Sequence, residues 1–284
     1  THRTTIQSKI ISNFFKQKKL DVLDVGCFDG KLLKELSNNF RIHKMYGYDV
    51  NEHLKKKFPK KKNFYFIKKN ITKIRIKFDL IIFSHSLGYI ENLEKELKLY
   101  INLLKKDGKI FIQIPNLERN PFYSLMGDQY QFFTKGSIIN VFQNYDFKTK
   151  LIKNKHFPRE LLFLSERKQK TNKVKMIKDL SFENSIKKII KIKKYILRYF
   201  KLPIYVLGTT VNAAFIDEIL SKKVIAFIDE KKITKKSTLR NKKIFHPNHL
   251  TKEDTTILPF SPESKDILHK FNVKFKGIFK LLNI

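Results

Sequence analysis

Residues 20–36 read Leu20-Asp21-Val22-Leu23-Asp24-Val25-Gly26-Cys27-Phe28-Asp29-Gly30-Lys31-Leu32-Leu33-Lys34-Glu35-Leu36. An apolar run enters a glycine turn and continues into leucines at helical spacing, so the stretch predicts a buried strand, a tight turn and an amphipathic helix. Gly26 and Gly30 let the backbone turn sharply and approach a ligand, and the free N–H groups of the following helix begin beside them. The next predicted strand, Lys44-Met45-Tyr46-Gly47-Tyr48-Asp49, closes on an acid 19 residues beyond Gly30. A carboxylate there can accept both hydroxyls of a ribose, so the spacing points to a cofactor containing adenosine.

The turn also excludes two classes of ligand. A dinucleotide fingerprint needs G-x-G-x-x-G and a phosphate loop needs G-x-x-x-x-G-K-[ST]. Here the glycines are spaced G-x-x-x-G and Lys31 precedes Leu32. The acid at the strand end, Asp24, would repel a pyrophosphate and suits an ammonium-bearing cofactor. The segment Leu23-Asp-Val-Gly-Cys-Phe-Asp-Gly30 resembles motif I of the class I S-adenosylmethionine-dependent methyltransferases, with Phe28 where that motif usually has a third glycine.

Further pieces of that family follow in order across roughly residues 5–165. Asn70-Ile71 follows the strand Phe64–Ile67, where the family often has an acid facing the adenine amine. Phe78–Phe83 resembles the fourth strand, and Ser84-His-Ser-Leu-Gly-Tyr-Ile90 resembles the loop after it, with Tyr89 in place of a usual histidine. Leu103–Asn116 resembles the helix end, turn and fifth strand that close on Pro-Asn. The resemblance implies a doubly wound α/β domain with S-adenosylmethionine contacts at Asp24, Gly26, Cys27, Phe28, Gly30, Asp49, Val50, Asn70, Ile71 and Ser84.

The chain has 284 residues, enough for one large or two ordinary domains with a sizeable core. Its one cysteine, Cys27, excludes an internal disulfide framework and a multi-cysteine zinc site, and no metal centre is expected. No charged segment with an apolar core follows Thr1, and no run approaches a membrane span, so a cytoplasmic enzyme is expected. The net charge of +34 comes from 60 basic residues of which eight are Arg. Abundant Lys, Ile, Phe and Asn together fit an AT-rich coding bias, and Lys is the weaker tool for bidentate recognition, so a nucleic-acid partner is not favoured.

Apolar runs alternate with helical stretches from Lys18 to Asn116, followed by an aromatic-rich irregular segment, a short helix over 135–143 and two late antiparallel strands near 147–152 and 160–165. The predicted organisation is an S-adenosylmethionine-binding domain over residues 1–168, a helical linker over 169–201 and a smaller Rossmann-like α/β domain over 202–284. The linker helix, Leu180–Phe200, is expected to present Ile186, Ile189, Ile190 and Ile196 on one face. The second domain opens on Leu202–Leu220, a strand, a turn at Gly208 capped by Thr209 or Thr210, and a helix, followed by a strand ending in Asp229. This half resembles the C-terminal domain of sugar C-methyltransferases and related enzymes of surface-polysaccharide clusters. There such a domain helps hold a nucleotide-linked sugar or mediates association, which leaves substrate binding and homodimer formation both open.

Methyl transfer from a sulfonium needs in-line positioning and, for a hydroxyl acceptor, a base. His85 is the first candidate base, with Asp128 and Tyr89 beside it; Asn116, Gln129, Tyr130 and Arg159 are candidate substrate contacts. The segment Gly127–Thr134 is similar in position to a His-Glu-His-containing segment of the sugar C-methyltransferases, whose histidine position falls on Gln129 and glutamate on Asp128. Gln129 cannot abstract a carbon-bound proton, and the family's cysteine-rich zinc region is absent. Both points favour O- or N-methylation of a sugar, nucleotide sugar or related small glycan precursor. The alternatives are an RNA methyltransferase, supported by charge alone, and a non-catalytic scaffold with a degenerate cofactor site at Phe28, Asn70 and Tyr89.

Overall fold

The structure is a computed structural model that describes residues 2–15, 19–39, 42–68, 71–168, 176–231, 237–259 and 263–282. The chain divides into two compact units, one of residues 1–115 and 128–179, the other of residues 116–127 and 180–284.

In the first unit, helix α1 (His2–Ser12) precedes β1 (Leu20–Val25), α2 (Lys31–Asn39), β2 (Ile42–Tyr48), β3 (Phe64–Ile67), β4 (Phe78–Ser84), α3 (Leu93–Asn102) and β5 (Leu104–Pro115). Then come α4 (Lys135–Gln143), β6 (Phe147–Leu151) and β7 (Glu160–Arg167). The seven strands run in the order β3-β2-β1-β4-β5-β7-β6. Strands β1 to β5 are parallel, and β7 is antiparallel to both β5 and β6. This is the doubly wound class I methyltransferase sheet expected from the sequence.

Alternation along the strands builds two cores. Leu23, Val25, Ile81 and Phe83 face one side with Leu97, Tyr100, Ile138 and Phe142, residues of α3 and α4. Leu20, Val22, Leu80 and Ile82 face the other with Ile11, Leu32, Leu33 and Leu36, residues of α1 and α2. Because successive side chains of a strand point to opposite faces, central strands covered on both sides must be largely apolar, as four of the six residues of β1 and five of the seven of β4 are. The chain order reverses between β1 and β4, so the carboxyl ends of those strands open the crevice in which α/β sheets of this kind bind ligands.

The second unit contains α5 (Ser181–Tyr199), β8 (Ile204–Leu207), α6 (Val211–Leu220), β9 (Val224–Ile228), β10 (Thr238–Leu239), β11 (Lys242–Phe245), β12 (Thr255–Leu258), α7 (Ser264–Lys274) and β13 (Ile278–Leu281). Its sheet order is β10-β11-β9-β8-β12-β13, parallel except at β10. One face carries α5 and α6, with Ile192, Ile196, Ala213 and Ile216 on Val206 and Phe227; the other carries α7, with Phe271 on Leu258 and Phe279. Residues 116–127 belong to this unit because Phe122 is buried in that first core, edge-on to Phe215 at 5.2 Å between ring centroids. Ser185 Oγ also donates to the Leu117 carbonyl at 3.0 Å.

Two sequence expectations change here. The buried face of α5 is Ser185, Ile189, Ile192 and Ile196, whereas Ile190 is exposed and Ile186 only half-buried. Residues 189, 192 and 196 keep the i, i+3, i+7 spacing of one helical stripe, and residue 190 lies about 100° around the helix from residue 189. The turn at Gly208 is not capped by a threonine side chain. Thr210 occupies the N-cap without a side-chain hydrogen bond, and Thr209 Oγ1 donates to Asp229 instead, at 2.9 Å.

The corrected face has a measurable consequence. In denaturant unfolding, Ile192→Ala should destabilise the second unit by about 2–4 kcal/mol, and Ile190→Ala should change it by less than about 0.5 kcal/mol.

Candidate functional site

The turn after β1 is held by its neighbours on both sides. The Gly26 N–H donates to the Tyr48 carbonyl at 2.7 Å and the Cys27 N–H to the same oxygen at 3.1 Å, fastening the turn to the end of β2. Gly26 has φ +76°, and a Cβ there would lie 2.5 Å from the Cβ of Ser86. Both the conformation and the close approach of the β4 loop require glycine. Phe28, at the position of the missing third glycine, adopts φ +49° and leaves its ring exposed. The departure from the motif is therefore absorbed by one left-handed non-glycine residue, at a cost of order 1 kcal/mol.

Asp49 sits just past β2 and closes on this turn. Its Oδ2 accepts from the Phe28 N–H at 3.0 Å and its Oδ1 from the Asn51 N–H at 2.9 Å. Each carboxylate oxygen keeps a further lone pair toward solvent. Val50 is exposed beside it. Ile71 buries its side chain in the core with Ile67 and Tyr46, which leaves its backbone for any cofactor contact, and Asn70 lies outside the described residues.

Asp24 is the unusual group. It is 2 % exposed, and its Oδ1 has no hydrogen-bond partner. Burial pushes its carboxyl up to about 7, and the charge of Asp49 adds to the rise. The Ser86 hydroxyl, on the other side of Gly26, is likewise buried without a partner. A buried polar atom left unpaired costs about 1–3 kcal/mol. Cys27 is buried and its thiol is driven well above its ordinary range by burial and by the charges of Asp24 and Asp49. It is no nucleophile.

At the carboxyl end of β4 a polar network surrounds His85, which has φ +59°. Its Nε2 lies 2.8 Å from Arg3 Nη2 and 3.2 Å from Glu160 Oε2. Arg3 Nη2 also donates to Glu160 Oε1 at 2.6 Å. Gln113, fully buried on β5, donates to Glu160 and accepts at Oε1 from Gln7 Nε2 at 2.6 Å. Gln7 also donates to Ser84 Oγ at 2.8 Å. Burial opposes ionisation of Glu160, but His85, Gln113 and Arg3 outweigh it and hold the carboxyl down to about 2. The Glu160 carboxylate favours a proton on Nε2, whereas the Arg3 guanidinium, which can only donate, calls for a lone pair there, so the two neighbours pull the tautomer in opposite directions; Nδ1 has no hydrogen bond from any described residue.

The other expected residues divide between the two units. Tyr89 OH donates to Asp128 Oδ2 at 3.2 Å, and Gln129 Nε2 reaches Tyr89 OH at 3.5 Å, so these three meet. The Tyr130 N–H donates to the Gly88 carbonyl at 3.0 Å, and its ring is exposed. Arg159 is half-buried beside Glu160 in the chain. Asn116 lies in the second unit, where its Oδ1 accepts from the Glu118 and Arg119 N–H groups in a local turn. Sequence reasoning did not reach Arg3, Gln7, Ser86, Gln113 and Glu160. The one legible signal was Gln113, a polar residue inside the run Ile110-Phe-Ile-Gln-Ile114. Among the described residues no cluster of His, Cys, Asp or Glu could hold a metal ion.

With this geometry in place, the comparisons with known proteins define the class. The methyltransferase-domain family matches residues 2–151, and the chain belongs to that family. It is a class I methyltransferase whose cofactor is S-adenosylmethionine. Some solved structures are similar to part of the chain. A chain from the complex between the Haloferax volcanii Trm112 methyltransferase activator and a methyltransferase is 11 % identical, with 58 % of this chain and 90 % of that one covered, at a TM-score of 0.50. An S-adenosylmethionine-dependent methyltransferase from Mesorhizobium loti is 13 % identical over 57 % of this chain and 98 % of its own, at a TM-score of 0.47. The YcgJ protein of Bacillus subtilis is 10 % identical over 60 % and 100 %, also at 0.47. No curated protein matches the sequence.

The state of Asp24 yields a stability test. Its carboxyl ionises near 3.8 when unfolded and near 7 when folded, so folding is opposed by this group fully above pH 7 and not at all below about pH 4. Asp24→Asn should raise the stability of the ligand-free protein at pH 8 by at most about 4 kcal/mol, and the gain should fade as pH drops from 7 to 4. Thermal unfolding followed across pH measures this.

Proposed function

We propose that this enzyme transfers the methyl group of S-adenosylmethionine to a hydroxyl or amine of a sugar, nucleotide sugar or related small precursor of a surface glycan, with His85 as the base. The observation that carries the reading is the His85–Glu160 pair at the carboxyl end of β4, one strand from the turn that buries Asp24. When bound, the cofactor supplies an activated methyl group on a sulfonium.

The residues at the turn fit such a cofactor. Asp24 retains a buried, unpartnered oxygen that an ammonium group would satisfy, and the Ser86 hydroxyl is a second unpartnered group beside it. Asp49 keeps lone pairs for ribose hydroxyls, and Gly26, Cys27, Phe28 and Gly30 form the cradle. Val50, next to Asp49 in the chain, and Ser84, at the end of β4, are further proposed contacts. A scaffold with no ligand would gain stability by replacing Asp24, so the presence of a carboxyl there favours a working cofactor site.

Catalysis in such a site rests on positioning and proton removal. Glu160 and Arg3 hold the ring in place, and the Glu160 carboxylate stabilises the imidazolium that forms when the ring takes the acceptor's proton. Tyr89, Asp128 and Gln129 form a polar wall at the loop after β4 that would orient the acceptor, with Tyr130 and Arg159 as further contacts. A glutamine at residue 129 supports O- or N-methylation over C-methylation. The glycan assignment is supported by the second α/β unit, resembling the C-terminal domains of sugar methyltransferases, and by the raised Cys27 thiol, which disfavours the cysteine chemistry of RNA C5 methylation. With one cysteine and no helix of the described residues long and apolar enough to cross a membrane, we assign the reaction to the cytoplasm.

Transfer from methyl-labelled S-adenosylmethionine to a panel of nucleotide sugars and to RNA tests the reading; methylation of RNA alone would overturn the acceptor class. With a methylated acceptor in hand, His85→Ala should lower kcat by about 10²–10⁴ and Glu160→Gln by about 10–10², each with an unchanged cofactor Kd. Undiminished turnover in His85→Ala would remove it as the base.

A further inference from the structure

Helix α5 carries two faces, and only one of them is used in the fold. Ser185, Ile189, Ile192 and Ile196 pack into the core of the second unit. Around the helix, at about 100° per residue, a second apolar stripe runs through Ile186, Ile190 and Leu197. Ile190 is 49 % exposed and Leu197 47 %, and Leu202, just beyond the helix, is 76 % exposed. Next to this stripe Lys187, Lys191, Lys194 and Arg198 fall at i, i+4, i+7 and i+11, which is a single row on a helix. Residues 180–202 hold seven Lys or Arg and one acid, Glu183, a local net charge of +6. Among the described residues no acid pairs with Lys187, Lys191 or Lys194.

We propose that this face of α5 is a docking surface for an anionic lipid bilayer, on which the helix lies in the interface plane. An amphipathic helix with an aliphatic stripe flanked by lysines is the form that peripheral proteins use to bury apolar side chains at the headgroup boundary. The lysine stems can lie along the apolar region while their ammonium groups reach lipid phosphates. Charge complementarity selects an anionic surface. A nucleic-acid partner fits less well, because the exposed stripe is aliphatic and offers no aromatic platform for bases, and Arg supplies one of the four cations in the row. Helix α5 is 19 residues long, about 28 Å, and is fixed to the sheet by its isoleucine face, so the outer face is presented as a rigid strip.

The chain contains no tryptophan, which makes a single introduced indole an unambiguous reporter. Ile190→Trp places it in the stripe. Val273→Trp places it on α7, packed on the opposite face of the same sheet, at a residue that is exposed. With vesicles of equal phosphatidylglycerol and phosphatidylcholine at about 0.15 M salt, the Ile190→Trp emission should shift to the blue and the Val273→Trp emission should not; pure phosphatidylcholine should shift neither. Reversing the row, with Lys187→Glu, Lys191→Glu, Lys194→Glu and Arg198→Glu together, should abolish the shift and lower vesicle co-sedimentation at least tenfold, with circular dichroism unchanged. All four residues are exposed, and a second variant, Ile190→Ser with Leu197→Ser, should reduce vesicle binding without touching charge. Equal shifts at residues 190 and 273, sedimentation with anionic vesicles without any shift at residue 190, or retention of RNA with no vesicle binding would each overturn the proposal.

Discussion

The close approach of the β1 turn and the β4 loop at Gly26 constrains the rest of the first unit. Where a Cβ on residue 26 would stand, the Cβ of Ser86 is 2.5 Å away, so the two strand ends can meet only through a glycine in the left-handed region. Around that contact Asp24 and the Ser86 hydroxyl are shut off from water. The unsatisfied oxygens of Asp24 and Ser86 follow from it, and so does the raised carboxyl of Asp24. The protein accepts a local loss of stability at this turn, a recurring compromise at functional sites.

The polar network around His85 is organised on the opposite principle. Every charge in it is partnered: Glu160 receives Arg3 and Gln113, and Gln113 in turn receives Gln7. Linked hydrogen bonds anchored on buried groups such as Gln113 and Glu160 hold their members in one geometry. The turn therefore offers an unfilled electrostatic demand and the network a fixed orientation, which is the division of labour expected between a cofactor cradle and a base.

Much of this was legible in sequence because it depends on short-range pattern. The β1 turn, Asp49 and the β4 loop lie in runs whose alternation and glycine spacing announce strands and turns. Glu160 and Arg3 were not legible as partners of His85, because they are 75 and 82 positions away and meet it only after β7 pairs antiparallel with β5 and α1 covers the sheet. The buried face of α5 was misassigned for a different reason. In a chain rich in isoleucine, the residue type alone does not mark the inside of a helix, and the tighter i, i+3, i+7 spacing of residues 189, 192 and 196 was the better guide. The grouping of residues 116–127 with the second unit rests on Phe122, a contact no local pattern encodes.

The central claim is that Asp24, protonated near neutrality in the free protein, becomes the carboxylate that holds the cofactor's ammonium. The most direct test is calorimetric titration with S-adenosylmethionine in buffers of differing ionisation enthalpy, which counts protons exchanged on binding. The account predicts release of roughly one proton per cofactor at pH 6, passing through zero between about pH 7 and 8 to net uptake by about pH 9, where the free cofactor's own amine is mostly neutral, and loss of the release at pH 6 in Asp24→Asn. Binding with no proton release at pH 6, or the same release from the Asp24→Asn variant, would contradict it.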